Sequence, residues 1–225
     1  MAYDIETDYL IIGAGSAGCV LANRLSTDPA NKVLLLEAGG DDRALREPRQ
    51  FMSNIMIHAP SGFSQVWDDP KVNWKYKSNP DETTAGRSHK FHKGRVLGGS
   101  SSINGLLYMR GQVEDYDGWR QMGCTGWSYD DVLPYFRRAE DQERGEDEFH
   151  GVGGPLSVSN YPDRNMISQA LIDACVEAGI PFNPDINGRV QEGVAWLQST
   201  TRDGRRCSAA VGYLHPIEKR SNLRL

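Results

Sequence analysis

The sequence predicts an α/β protein that opens on a parallel, Rossmann-like βαβ unit. Three observations predict it. Two all-apolar runs of strand length, Tyr9-Leu10-Ile11-Ile12 and Val33-Leu34-Leu35-Leu36, bracket the segment. A turn with glycines at positions 13, 15 and 18 follows the first run. Val20, Leu21 and Leu25 then recur at helical spacing until Asp28-Pro29 stops the pattern. Continuous apolar runs of this kind suit parallel strands covered on both faces.

Each glycine of Gly13-Ala14-Gly15-Ser16-Ala17-Gly18 has a physical task in such a unit. Gly13 permits the tight turn, Gly15 lets the backbone approach a pyrophosphate, and Gly18 lets helix and strand pack closely. The helix N-terminus offers free N–H groups and the positive end of its dipole to phosphate. Glu37 closes the second strand near the ~20-residue offset expected for an acid that binds ribose hydroxyls. It would repel a 2′-phosphate, which disfavours NADP. These residues point to a dinucleotide and do not separate NAD from FAD.

The composition excludes several classes. Thirty-nine per cent of the 225 residues are hydrophobic, enough for a core, and the net charge of −5 argues against a nucleic-acid partner. Mean hydropathy is −0.54, and no apolar run approaches the ~20 residues that span a bilayer. The acidic start, Met1 to Asp8, lacks the positive charge of a secretory signal, so a cytoplasmic location is expected, with peripheral membrane association left open. Cys19, Cys124, Cys175 and Cys207 show no zinc spacing and are expected as reduced, packed thiols. His89 and His92 lie three apart without a completing ligand, so no metal site is expected. His58 and His215 show no obvious partner, and His150 reads as structural.

Beyond the first unit, residues 41–93 read as a long excursion with one short helix near Phe51 to Ile57. Ser128 and Asp131 form a box-like N-cap for a helix through Val132, Tyr135 and Phe136. Arg137 to Glu148 reads as a solvated helix end and loop. Pro155 to Ser159 alternates like a strand. Met166 to Ala178 reads as a helix with Ile167, Ala170, Leu171, Ala174 and Cys175 on one face. Val194 to Thr200 alternates again, Ser208 to Leu214 suits a short helix, and Leu223 and Leu225 open a strand.

A second glycine- and serine-rich stretch carries the most specific signal. Gly94-Arg95-Val96-Leu97-Gly98-Gly99-Ser100-Ser101-Ser102-Ile103-Asn104, followed by Tyr108, Arg110 and Gly111, resembles the long signature of the glucose–methanol–choline oxidoreductases, which are FAD enzymes. Gly98-Gly99 supplies side-chain-free backbone, Ser100 to Ser102 supply short donors, and Asn104 can donate or accept. The resemblance continues through Leu34 to Gly39, Asp115 to Trp119, Gly126 to Tyr129, Val132 to Phe136, His150-Gly151 and Ser208 to Pro216.

The resemblance implies an FAD-binding domain at 1–153, the start of an α+β substrate-binding domain at 154–204, and a return segment at 205–225. It implies oxidation of a primary alcohol by hydride transfer to flavin N5, with oxygen or a quinone as acceptor. Gly13 to Gly18 with Glu37 and Ala38 would hold the ADP half. Arg95, Val96, Gly98, Gly99, Ser100, Asn104, Gly105, Leu106 and Leu107 would lie near pyrophosphate and flavin. Ile103 stands where some members attach FAD through a histidine, so non-covalent FAD is expected. The family's proton-removing His, with its His or Asn partner, has no counterpart here. No catalytic residue is named, and a missing C-terminal half, on the same or a second chain, is expected. A flavin photoenzyme of the same fold, a non-catalytic flavin-binding fragment and, more weakly, a nicotinamide enzyme are the alternatives.

Overall fold

In a computed structural model, residues 5–162 and 164–225 are described. The elements run β1 (Tyr9–Ile12), α1 (Ser16–Leu25), β2 (Val33–Leu36), α2 (Phe51–His58), α3 (Phe63–Val66), β3 (Tyr76–Lys77), β4 (Lys90–Phe91), β5 (Leu107–Tyr108), α4 (Val113–Gln121), α5 (Tyr129–Ala139), β6 (Glu140–Gln142), β7 (Leu156–Asn160), α6 (Met166–Glu177), β8 (Gln198–Ser199), β9 (Thr201–Arg202), β10 (Arg205–Arg206) and β11 (Leu223–Arg224). The chain divides into two compact units. One joins the segment up to Leu106 with Asp203–Leu225, and the other is Leu107–Arg202.

The first unit is built on the predicted βαβ. β1 pairs parallel with β2 from Tyr9↔Val33 to Ile12↔Leu36. β11 adds a third parallel strand on the other side of β2. Period-2 alternation sends Ile11, Val33 and Leu35 to the face covered by α1. Ala210, Tyr213, Leu214 and Ile217 join that core. The predicted helix at 208–214 is a π-turn over Ala210–Leu214. Asn222 Nδ2 bonds the Ser26, Asp28 and Asn31 carbonyls and so fixes the turn between α1 and β2.

The expectation of two covered faces is corrected. Leu10, Ile12 and Leu36 are exposed, Ile12 at 82%, because α1 and the 209–217 turns both lie on the opposite face. Within the excursion, Ile57, Val66 and Val72 form a second core with Val96 and Ile103.

The second unit carries a four-stranded mixed sheet in the order β5-β8-β7-β6. The predicted 155–159 strand is β7, whereas only Gln198–Ser199 of 194–200 is a strand. The Ser128–Asp131 capping box is formed, with Ser128 N–H donating to Asp131 Oδ2 at 3.0 Å. The solvated reading of 137–148 is corrected at Glu140, which opens β6 fully buried. Its carboxylate accepts from Arg110 Nη2 at 2.7 Å and from Gly151 N–H at 3.1 Å, and it lies 3.0 Å from His150 Nδ1. A buried carboxylate persists only with such partners. The predicted α6 face is also corrected. Ile167 and Leu171 are 78% and 65% exposed, and Ile172 is the helix's buried residue. Cys19 and Cys207 are buried as expected, but Cys124 is exposed.

His150 also lies 2.9 Å from Asp185 Oδ2 through Nε2. Burial works against its charge, but hydrogen bonds to Asp185 and Glu140, with their charges, outweigh burial and raise its pKa from 6.5 to about 9. A raised cationic pKa adds stability that is full below pH 6.5 and lost as pH rises through about 9. Urea unfolding followed from pH 6 to pH 9.5 is therefore expected to show the midpoint falling across that window. Asp185→Asn should move the fall to lower pH, and a midpoint flat from pH 6 to 9.5 in the parent protein would contradict the assignment.

Candidate functional site

The site lies at the C-terminal ends of β1 and β2, within the first unit. Gly13 takes φ +97°, a conformation that glycine adopts freely, and turns the chain out of β1. A Cβ on Gly18 would collide with the Gly13 carbonyl, so glycine there lets α1 pack on its own strand. Gly15 is the N-cap of α1 and offers no side chain to the helix. The first turn holds no acidic residue, and Cys19 N–H bonds the Gly15 carbonyl. The helix start therefore keeps uncapped N–H groups. A Cβ on Gly13 or Gly15 would meet nothing within 4 Å.

Glu37 sits beside this turn, half-buried. Its Oε2 accepts from Ala14 N–H and its Oε1 from Gly39 N–H, each at 2.8 Å. A carboxylate has about four acceptor positions. Each oxygen therefore keeps capacity for a further donor while the backbone fixes its direction. Ala38, next along, is exposed.

The second glycine loop is stitched onto the first. Gly98 N–H donates to the Ala14 carbonyl at 2.7 Å, and Leu97 N–H to the Gly40 carbonyl at 3.0 Å. A Cβ on Gly99, where φ is +54°, would stand 2.7 Å from Gly15 Cα. A Cβ on Gly39 would strike the Arg95 carbonyl. Glycine is thus required at 39 and 99, and the Gly98–Gly99 backbone packs directly on that of Ala14 and Gly15.

The remaining sequence-predicted residues divide by what their side chains do. Val96 and Ile103 are buried in the excursion core, so only their backbone can face a ligand. Arg95 lies over the Trp74 ring at 5.1 Å. Ser101 Oγ and Ser102 Oγ donate to the Gly98 and Leu97 carbonyls, so these hydroxyls brace their own loop. Ser100 Oγ accepts from Gly94 N–H at 3.2 Å. Asn104 is exposed, Gly105 has open space around a virtual Cβ, and Leu106 is buried with φ +63°. The structure thus gathers residues 13–18, 37–38 and 95–106 in one unit. Leu107 belongs to the other, where it opens β5.

Sequence reasoning missed the supports. Asp42, fully buried, accepts from His215 Nε2 at 2.8 Å. His58 Nε2 lies 3.0 Å from its carbonyl and 3.3 Å from Oδ2. The two histidines read as partnerless thus share one partner. Burial alone would raise the Asp42 pKa, but hydrogen bonds from His215 and His58 hold it near 2. A lowered carboxylate pKa adds stability that is present above 3.8 and lost as pH falls through about 2. His92 stacks on Trp67 with ring centroids 5.0 Å apart, and His89 is exposed.

The sequence model of the GMC oxidoreductases matches residues 7–225. The chain belongs to the GMC oxidoreductase family. It is 43% identical over 219 residues to the mitochondrial choline dehydrogenase of Mus musculus, covering 97% of this chain and 36% of that one. It is 46% identical over 218 residues to an oxygen-dependent choline dehydrogenase of Photobacterium profundum, covering 96% and 37%. It is 42% identical over 217 residues to an alcohol dehydrogenase [acceptor] of Pseudomonas putida, covering 96% and 38%. Among solved structures, a pyridoxine 4-oxidase from Mesorbium loti superposes with a TM-score of 0.87 at 35% identity, covering 97% of this chain and 42% of that one. The chain thus represents the N-terminal, FAD-binding part of an α/β GMC protein and spans well under half the length of these relatives.

If the two loops form one floor, a side chain at their contact must part them. Gly99→Ala adds both a clash with Gly15 and a φ that L residues avoid, and is expected to destabilise the protein by about 1–3 kcal/mol. Gly105→Ala meets open space and should change stability by well under that. Chemical denaturation of both variants checks this, and equal stabilities would contradict it.

Proposed function

We propose that this chain supplies the FAD-binding half of an oxidoreductase acting on CH–OH groups, in which a primary alcohol gives hydride to flavin N5. The backbone contact from Gly98 to Ala14 carries the reading, because it makes one continuous glycine floor of two loops distant in sequence. Bound FAD supplies the hydride acceptor. The residues of the chain bind and orient it. The uncapped N-terminus of α1, over Gly15, Ser16 and Ala17, faces the pyrophosphate. Glu37, held by Ala14 and Gly39, accepts from the ribose hydroxyls, with Ala38 alongside. Backbone of Arg95, Val96, Gly98 and Gly99, with Ser100, lies along the diphosphate and ring. Asn104, Gly105 and Leu106 lie toward the flavin.

Binding is non-covalent in this reading. Ile103 carries no nucleophile, and its side chain is committed to the core with Val66 and Val72. The substrate is a small alcohol, as the names of the choline and alcohol dehydrogenase relatives suggest. The segment 154–204 opens the substrate-binding domain. We assign no proton-removing base to these residues and place it, with the site for the electron acceptor, on further polypeptide. Among the described residues no helix is long and apolar enough to cross a membrane.

Titration with FAD, followed by gel filtration and visible absorbance, tests this. One flavin per chain should travel with the protein and be released on denaturation. Gly15→Val should weaken binding by about tenfold or more, the effect of ~1.4 kcal/mol or greater. A protein that stays colourless in excess FAD would overturn the proposal, and flavin retained after denaturation would overturn its non-covalent part.

A further inference from the structure

We propose that Arg206 is a positioning residue that turns Asn104 into a hydrogen-bond donor alone, aimed at an acceptor atom of the flavin; this rests on the FAD reading above. Arg206 is 1% exposed and is the largest fully buried side chain described. Its guanidinium binds the backbone of three separate places. Nε donates to the Ile57 carbonyl at 2.7 Å, Nη1 to the Ser101 carbonyl at 3.1 Å, and Nη2 to the Asn104 carbonyl at 2.8 Å. Nη1 also donates to Asn104 Oδ1 at 2.7 Å.

That last bond decides the polarity of the amide. A guanidinium has no acceptor, so the Asn104 atom facing it is the oxygen. The same oxygen accepts from Leu106 N–H at 3.1 Å, which uses its second lone pair. Asn104 N–H donates to the Ser100 carbonyl at 2.9 Å. Of the polar groups of this exposed residue, the Nδ2 amide hydrogens are left, and among the described residues they have no partner. Asn104 therefore presents N–H, and not C=O, to whatever lies over the second loop. The carbonyl oxygens and unprotonated ring nitrogens of an oxidised flavin are acceptors of the matching kind. Arg206 is held by β10, and the loop it fixes carries the family signature.

Two variants test this with FAD as the probe. Asn104→Asp keeps oxygens for Arg206 and Leu106 N–H, so the unliganded protein should melt within a few degrees of the parent. Its outward group becomes an acceptor facing an acceptor. FAD affinity should fall about tenfold or more, and the visible band of bound flavin should shift. Arg206→Lys keeps the charge but cannot reach the Ile57, Ser101 and Asn104 oxygens together. It should shift the band in the same sense, an effect that a purely structural arginine would not produce at unchanged occupancy. A parent protein that takes up no FAD defeats the cofactor reading itself. A parent that binds FAD, with an N104D variant of unchanged affinity and spectrum, overturns this inference alone. Should Arg206→Lys fail to fold, N104D still decides.

Discussion

One backbone hydrogen bond, from Gly98 N–H to the Ala14 carbonyl, holds the two glycine loops of this protein together, and the site depends on it. The close approach depends on the absence of a side chain at Gly99, where a Cβ would stand 2.7 Å from Gly15 Cα. Gly99 stands against Gly15, and Gly39 against the Arg95 carbonyl. A loop rich in glycine loses much conformational entropy on ordering. The surrounding structure has to supply the compensation. It does so through side chains that brace the loops or tie them to the rest of the unit. Ser101 and Ser102 bond carbonyls of their own loop, Glu37 braces the first turn, and Arg206 gathers three backbone oxygens.

The same economy governs the buried charges. Asp42, Glu140 and Arg206 lie out of water, and each is surrounded by hydrogen-bond partners from distant parts of the sequence. An ion left alone there would cost several kcal/mol. Asp42 ties α2 and the return segment to the end of β2 through His58 and His215. Glu140 ties Arg110, Gly151 and His150 together in the other unit. In both units, polar clips position the segments that hydrophobic packing alone would leave loose.

The legible parts of the fold were those fixed by local rules. β1 and β2 have the bounds their apolar runs set, α1 begins at the glycine turn, and Ser128 with Asp131 marks the start of α5. The contact between the two glycine loops was foreshadowed by the first loop's spacing and by the second loop's resemblance to the family signature, and the structure brings both into one unit. What was not legible depends on pairing at long range. Glu140 sits in a charged run and looks solvated, since Arg110 lies thirty residues away. His215 and Asp42 are 173 residues apart, and neither carries a local sign of the other. The open faces of β1 and α6 were misread for a related reason. Periodicity shows that a face is apolar, and says nothing of what covers it.

The proposed site requires that one FAD molecule engage both loops at once. Hydrogen–deuterium exchange of the protein with and without FAD tests this directly. Amides of residues 13–18 and of residues 98–106 should slow together, over the same range of FAD concentration. Protection confined to 13–18, with the second loop exchanging at its unliganded rate, would contradict it.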